Sequence, residues 1–76
     1  MNKTYIAFCF GTVYKLVQIE EKYRFDRITN DGHLNGAWPS VERAIQDAIV
    51  NGAKVFNDKG NQLKLVTREV YTIAEM

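Results

Sequence analysis

Apolar residues recur at Val41, Ala44, Ile45, Ala48 and Ile49, the i, i+3, i+4, i+7, i+8 spacing that places them on one side of an α-helix. Pro39-Ser40 supplies a helix start and Asn51-Gly52 a helix stop, so the spacing predicts a helix from Ser40 to about Asn51. Its expected outward side carries Glu42, Arg43, Gln46 and Asp47. Every other patterned stretch has the period of a strand. Residues 4–10 form an aromatic and β-branched run, and residues 12–19 continue in the same character. Gly11 between them is read as a break between two strands, with a bulge in one bent strand as the alternative. Val13, Lys15, Val17 and Ile19 fall on one side of the second segment, and Tyr14, Leu16 and Gln18 on the other. Apolar groups on both sides mark it as an interior strand.

Glu20-Glu21-Lys22 is a connection of hairpin length. In residues 23–29, Tyr23 and Phe25 alternate with Arg24 and Asp26, the pattern of a strand with one packed and one wet face. Asn30-Asp31-Gly32 is a turn signal. His33 to Trp38 fits a short strand or an irregular loop, with Gly36 and the Pro after Trp38 favouring loop at the far end. Beyond the helix, Ala53 to Phe56 predicts a short strand, and Asn57-Asp58-Lys59-Gly60-Asn61 a hairpin loop. From Gln62 to Ile73 the alternation of Leu63, Leu65 and Thr67 shifts to Glu69, Tyr71 and Ile73, which predicts a bulge or a strand end near Val66-Thr67. The expectation is an α+β domain of order β-β-β-α-β-β. It has a four- to five-stranded, mainly antiparallel sheet with the one amphipathic helix packed on one face.

Length and charge narrow the functions. Seventy-six residues are expected to make a single small domain. Ten basic and nine acidic residues leave a net charge of +1, which is no electrostatic footprint for duplex DNA or an anionic membrane. No segment has the length and apolarity of a membrane span. The apolar stretch near the start is broken by Gly11-Thr12 and lacks a small-residue cleavage site, so no cleaved secretory signal is expected. Cys9 is the only cysteine and lies in the apolar run, where a free thiol behaves as a small hydrophobe. It makes no disulfide within the chain and fits a reducing, cytoplasmic setting.

The chemistry-bearing residues form no catalytic pattern. His33 is the only histidine; with Asp31 nearby it could act as a general base, but it follows a turn signal where both residues serve the backbone. A lone Cys and a lone His cannot make a structural zinc site. No nucleophile-base spacing, HExxH or CxxC motif is present, and the five glycines are dispersed singly, so no loop cradles a phosphate. No catalytic, cofactor or metal residues are assigned. Trp38 before Pro39 is either a partner anchor or an apolar residue stapling the helix start to the sheet, the second being favoured. Tyr14, Tyr23 and Phe25 interleave with Lys15, Lys22, Arg24 and Arg27, which could build a stacking platform for single-stranded nucleic acid. Against this, the aromatics are needed under the helix, the basic residues then lie on the other face, and Arg24 and Arg27 point in opposite directions.

Asp31-Gly32 followed by Pro39-Ser40-Val41-Glu42-Arg43-Ala44-Ile45 resembles the strand, turn and helix start of HicB-type antitoxins, small proteins that bind and inhibit a toxin. The likeness is short, departs where Arg43 replaces a second acidic residue, and is mostly what helix capping alone produces. The sequence reading is a non-enzymatic protein-binding module, a small regulator or inhibitor acting through a sheet edge or an exposed sheet face. Trp38, Arg24, Arg27 and His33 are its candidate partner-binding residues, and self-association as a dimer is an allowed form of it. The alternative is single-stranded nucleic-acid binding on the wet sheet face; a small enzyme or ligand-binding domain comes third.

Overall fold

A computed structural model of the chain describes residues 4–34, 36–66 and 72–76. Three strands come first: β1 (Ile6–Cys9), β2 (Thr12–Ile19) and β3 (Lys22–Arg27). Each is joined to the next by a two-residue turn, since Cys9 pairs with Thr12 and Ile19 with Lys22. Gly11 is therefore a break, as expected. Its turn takes positive φ at both central positions, Phe10 at 49° and Gly11 at 77°, the requirement of a type I′ hairpin.

The helix, α1 (Val41–Val50), has the boundaries its caps dictate. Ser40 is extended, and its Oγ accepts the backbone N–H of Arg43 at 3.2 Å. At the other end Gly52 N–H donates to the Ile49 carbonyl and Ala53 N–H to the Ala48 carbonyl, with Gly52 at φ 95°. That pair of bonds is a Schellman motif, and it fixes the reversal into β4 (Lys54–Phe56). A loop closed by Asn57 N–H on the Asn61 carbonyl follows, as its composition predicts. β5 (Leu63–Leu65) and β6 (Ile73–Glu75) then pair with each other. The expected strand from Gln62 to Ile73 is thus two strands. The expected shift to Glu69 and Tyr71 falls on residues 67–71, outside the described residues.

The large sheet runs β3-β2-β1-β4 and is antiparallel throughout; β5 and β6 form a separate ribbon. The chain after β3 crosses one face as α1 and returns on the far side of β1, so α1 contacts both outer strands, β3 and β4. Under it lie Ala7, Cys9, Tyr14, Phe25 and Val55, closed from above by Ala44, Ile45 and Ala48. Cys9 is buried, as expected of a core thiol. Ala7 and Cys9 share this buried cluster with Ala44 and Ala48. Val41 and Ile49 are half-buried at the margin. Gln46, expected to face solvent, is buried at 9% exposure. The reason is that α1 also touches both strands of the ribbon, so more of its circumference is covered than a simple helix-on-sheet arrangement would cover. No buried side-chain polar atom among the described residues lacks a hydrogen-bond partner.

Candidate interaction face

Strand alternation decides what each face of the large sheet carries. Ala7, Tyr14 and Val55 lie opposite one another across β1, β2 and β4, and all are buried under α1. Their neighbours must therefore point to the other face, which no element among the described residues covers. Two rows cross that face. One runs Phe56, Ile6, Lys15, Asp26; the other begins Lys54, Phe8, Val13. Ile28 extends the second row, its N–H donating to the Val13 carbonyl. Beyond these rows, on β2 and β3 alone, Val17 opposite Arg24 and Ile19 opposite Lys22 complete the face.

The open face is apolar at its centre. Phe8 is 44% exposed and Ile28 54%, while Ile6, Val13, Val17 and Phe56 are half-buried only by one another and by the strands that carry them. The rings of Phe8 and Phe56 meet edge to face, centroids 5.6 Å apart at 86°. Large apolar residues on an uncovered sheet face, grouped rather than scattered, are the usual mark of an interaction surface.

Charges rim this patch. Arg24 donates to Asp26 through Nε at 2.5 Å and a second guanidinium nitrogen at 3.0 Å. These hydrogen bonds hold the Asp26 carboxyl below its ordinary range and raise the Arg24 guanidinium further above its own; the nearby His33 adds a smaller effect on Asp26 in the same direction. The pair is internally neutralised. Lys15 and Lys54, both exposed, have no acidic partner among the described residues.

The four candidate residues from the sequence do not converge. Arg24 is on the open face. Arg27 is on the helix side, its side chain lying along Gly32, where a Cβ would meet Arg27 Cδ at 3.1 Å. His33 pairs opposite Asp26 and is exposed; its Nδ1 lies 2.7 Å from the Leu34 carbonyl, which makes that nitrogen a donor. Trp38 packs against the core, exchanges backbone hydrogen bonds with Tyr23, and has the Arg43 guanidinium 5.7 Å from its ring centroid. The staple reading of Trp38 accounts for these contacts.

His33 and Trp38 belong to a feature the sequence left open. Residues 32–34 and 36–38 run along the outer side of β3: Arg27 N–H donates to Gly32, Leu34 N–H to Phe25, Trp38 N–H to Tyr23, and Tyr23 N–H back to Trp38. One of the two edges expected of a small open sheet is thereby occupied. The other, β4, is three residues long and bridged at Phe56 by Gln62.

A groove of about 270 Å³ on the helix side brings Cys9, Tyr14, His33 and Asp47 to one lining, beside the exposed tip residue Phe10. Among the described residues no cluster of three His, Cys, Asp or Glu is arranged to hold a metal ion. No helix among them is long and apolar enough to cross a membrane.

Phe8, Ile28, Phe56 and Lys54 were not singled out from sequence. The signal was present in the first strand, where Ala7 and Cys9 alternate with Ile6 and Phe8: the small pair is buried on the helix side and the large pair lies on the other face. No family model matches the chain, and comparison with curated proteins and with solved structures finds no match either.

Proposed function

We propose that this chain is a non-enzymatic protein-binding module, a small regulator or inhibitor, whose partner docks on the open face of the four-stranded sheet. The carrying observation is the apolar patch of Phe8, Ile28, Val13, Ile6 and Phe56 on a face that no element among the described residues covers. Occupation of the β3 edge by Gly32, Leu34 and Trp38 favours recognition by side chains over addition of a strand. We assign no catalytic role to His33 or Cys9, and the free, buried thiol suits a reducing compartment such as the cytoplasm.

One observation favours a second reading. Tyr23 and Phe25 do turn toward the helix, but Phe8 and Phe56 share the open face with Lys15, Arg24 and Lys54. Aromatic rings beside cations are the components of a single-strand platform. It ranks second because aliphatic residues predominate, the two rings meet edge to face rather than lying side by side, and Asp26 neutralises Arg24.

The two readings separate in one pair of measurements. Nuclease-treated affinity purification is run with the wild type and with a Phe8→Ser/Ile28→Ser variant whose melting matches it; a labelled mixed-sequence oligonucleotide is titrated by anisotropy at low and moderate salt. The proposal expects a stoichiometric protein partner that the variant loses, and no oligonucleotide binding. Oligonucleotide affinity that falls steeply with salt and vanishes in the variant would overturn it in favour of nucleic acid.

A further inference from the structure

Resting on that reading, we infer that the partner presents an acidic apolar segment: hydrophobic side chains for the Phe8–Phe56 patch, flanked by carboxylates. The charge distribution carries this. Among the described residues, Lys15, Lys22, Arg24 and Lys54 lie on the open face against a single carboxylate, Asp26. That is a surplus of three positive charges on one face of a chain whose net charge is only +1, so the rest of the chain is net acidic. The surplus is invisible in the composition and appears only when the strands are paired.

Its placement is also specific. Asp26, the one acidic group there, already receives two hydrogen bonds from Arg24. Lys15 stands beside Ile6 in one row, and Lys54 beside Phe8 in the next. A docked segment whose apolar groups cover Phe8 and Phe56 therefore brings its flanking positions next to two ammonium groups that form no ion pair among the described residues, Asp26 opposite Lys15 being engaged by Arg24. Carboxylates there gain attraction in a partly desolvated setting; lysines or arginines would be repelled. The same argument disfavours a second copy on this face, because two-fold packing would set the cationic surplus of one chain against that of the other.

The test selects displayed random dodecapeptides on the immobilised wild-type protein. The bound pool is then measured on Phe8→Ser, on Ile28→Ser, on Lys54→Glu and on Lys15→Glu/Lys54→Glu, all checked for wild-type melting. Expected are peptides that combine apolar residues with Asp or Glu and lack Lys and Arg. Their binding should be lost in Phe8→Ser and weakened about tenfold by the double charge reversal. Peptides that need Phe8 yet show no acidic enrichment and ignore the charge reversal would overturn this inference and leave the docking face standing. Peptides indifferent to both Phe8→Ser and Ile28→Ser would overturn the docking face itself. A dimer seen by sedimentation and abolished by Phe8→Ser, or oligonucleotide binding abolished by it, would assign the face to a second copy or to nucleic acid and overturn the acidic-partner assignment.

Discussion

Phe10 stands at the tip of the first hairpin with φ 49° and 97% of its surface exposed. Both facts are unfavourable for a phenylalanine: the left-handed region crowds its Cβ, and its ring gains nothing from burial. Asn before Gly is the preferred pair in such a turn. Phe10→Asn is therefore expected to stabilise the domain by about 1 kcal/mol, raising its melting temperature by about 4–8 °C; an unchanged or lower midpoint would show that the turn carries no such strain. Gly11 marks the turn itself but not this strain, because nothing in the run Phe8-Cys-Phe10 marks which aromatic leaves the strand. Asp26 is the second residue with a measurable signature. Its carboxyl, hydrogen-bonded to Arg24, is held below the ordinary aspartate value of 3.8. A depressed folded-state value means stabilisation that is present above 3.8 and lost as pH falls below it toward the folded value. The pair is partly exposed, so the effect is small and weakened by salt. Asp26→Asn is expected to melt slightly below wild type at neutral pH, and the two curves should converge as the pH is lowered through 3.8 and beyond. A gap that persists in acid would mean that packing, not charge, is lost.

At the scale of elements, α1 was the most legible part of the chain, because its signals are local. Ser40, Gly52 and the spacing of Ala44, Ile45 and Ala48 each act within a turn or two of the helix itself. Ile45 is fully buried where helix and sheet meet. Ile45→Asp would place an unpaired carboxylate there, and circular dichroism should show a chain without a cooperative transition; a wild-type melt would contradict the packing described. Gln46 shows where local reading stops. Its burial depends on the ribbon of β5 and β6 reaching the helix, and no helical periodicity encodes a second covering element. The stretch from His33 to Trp38 fits either a short strand or a loop in sequence for a similar reason. It has the hydrogen bonds of an edge strand only intermittently, at the Asp26–His33 and Tyr23–Trp38 bridges, so its own residues carry no clean alternation.

For the whole molecule, the order of elements was readable and their neighbours were not. That β4 lands beside β1, after a helical crossing, follows from how α1 spans the sheet, and this pairing is what brings Phe56 to Phe8 and Lys54 into the cationic rim. The interaction face is consequently non-local in sequence, assembled from residues about fifty positions apart, and single-chain reading singled out some of its charges, Arg24, Lys15 and Lys22, but not its apolar centre. The same arrangement has a bearing on how the protein comes into being. The meander β1–β3 is made of short-range pairings and is synthesised first, but by itself it is apolar on both sides: Tyr14 and Phe25 on one, Phe8 and Val13 on the other. Its β1 seam also stays open until β4 arrives to close it. A nascent chain paused ahead of α1 is thus a sticky three-stranded sheet, and the interval before the helix emerges from the ribosome is when this protein most needs a chaperone or haste.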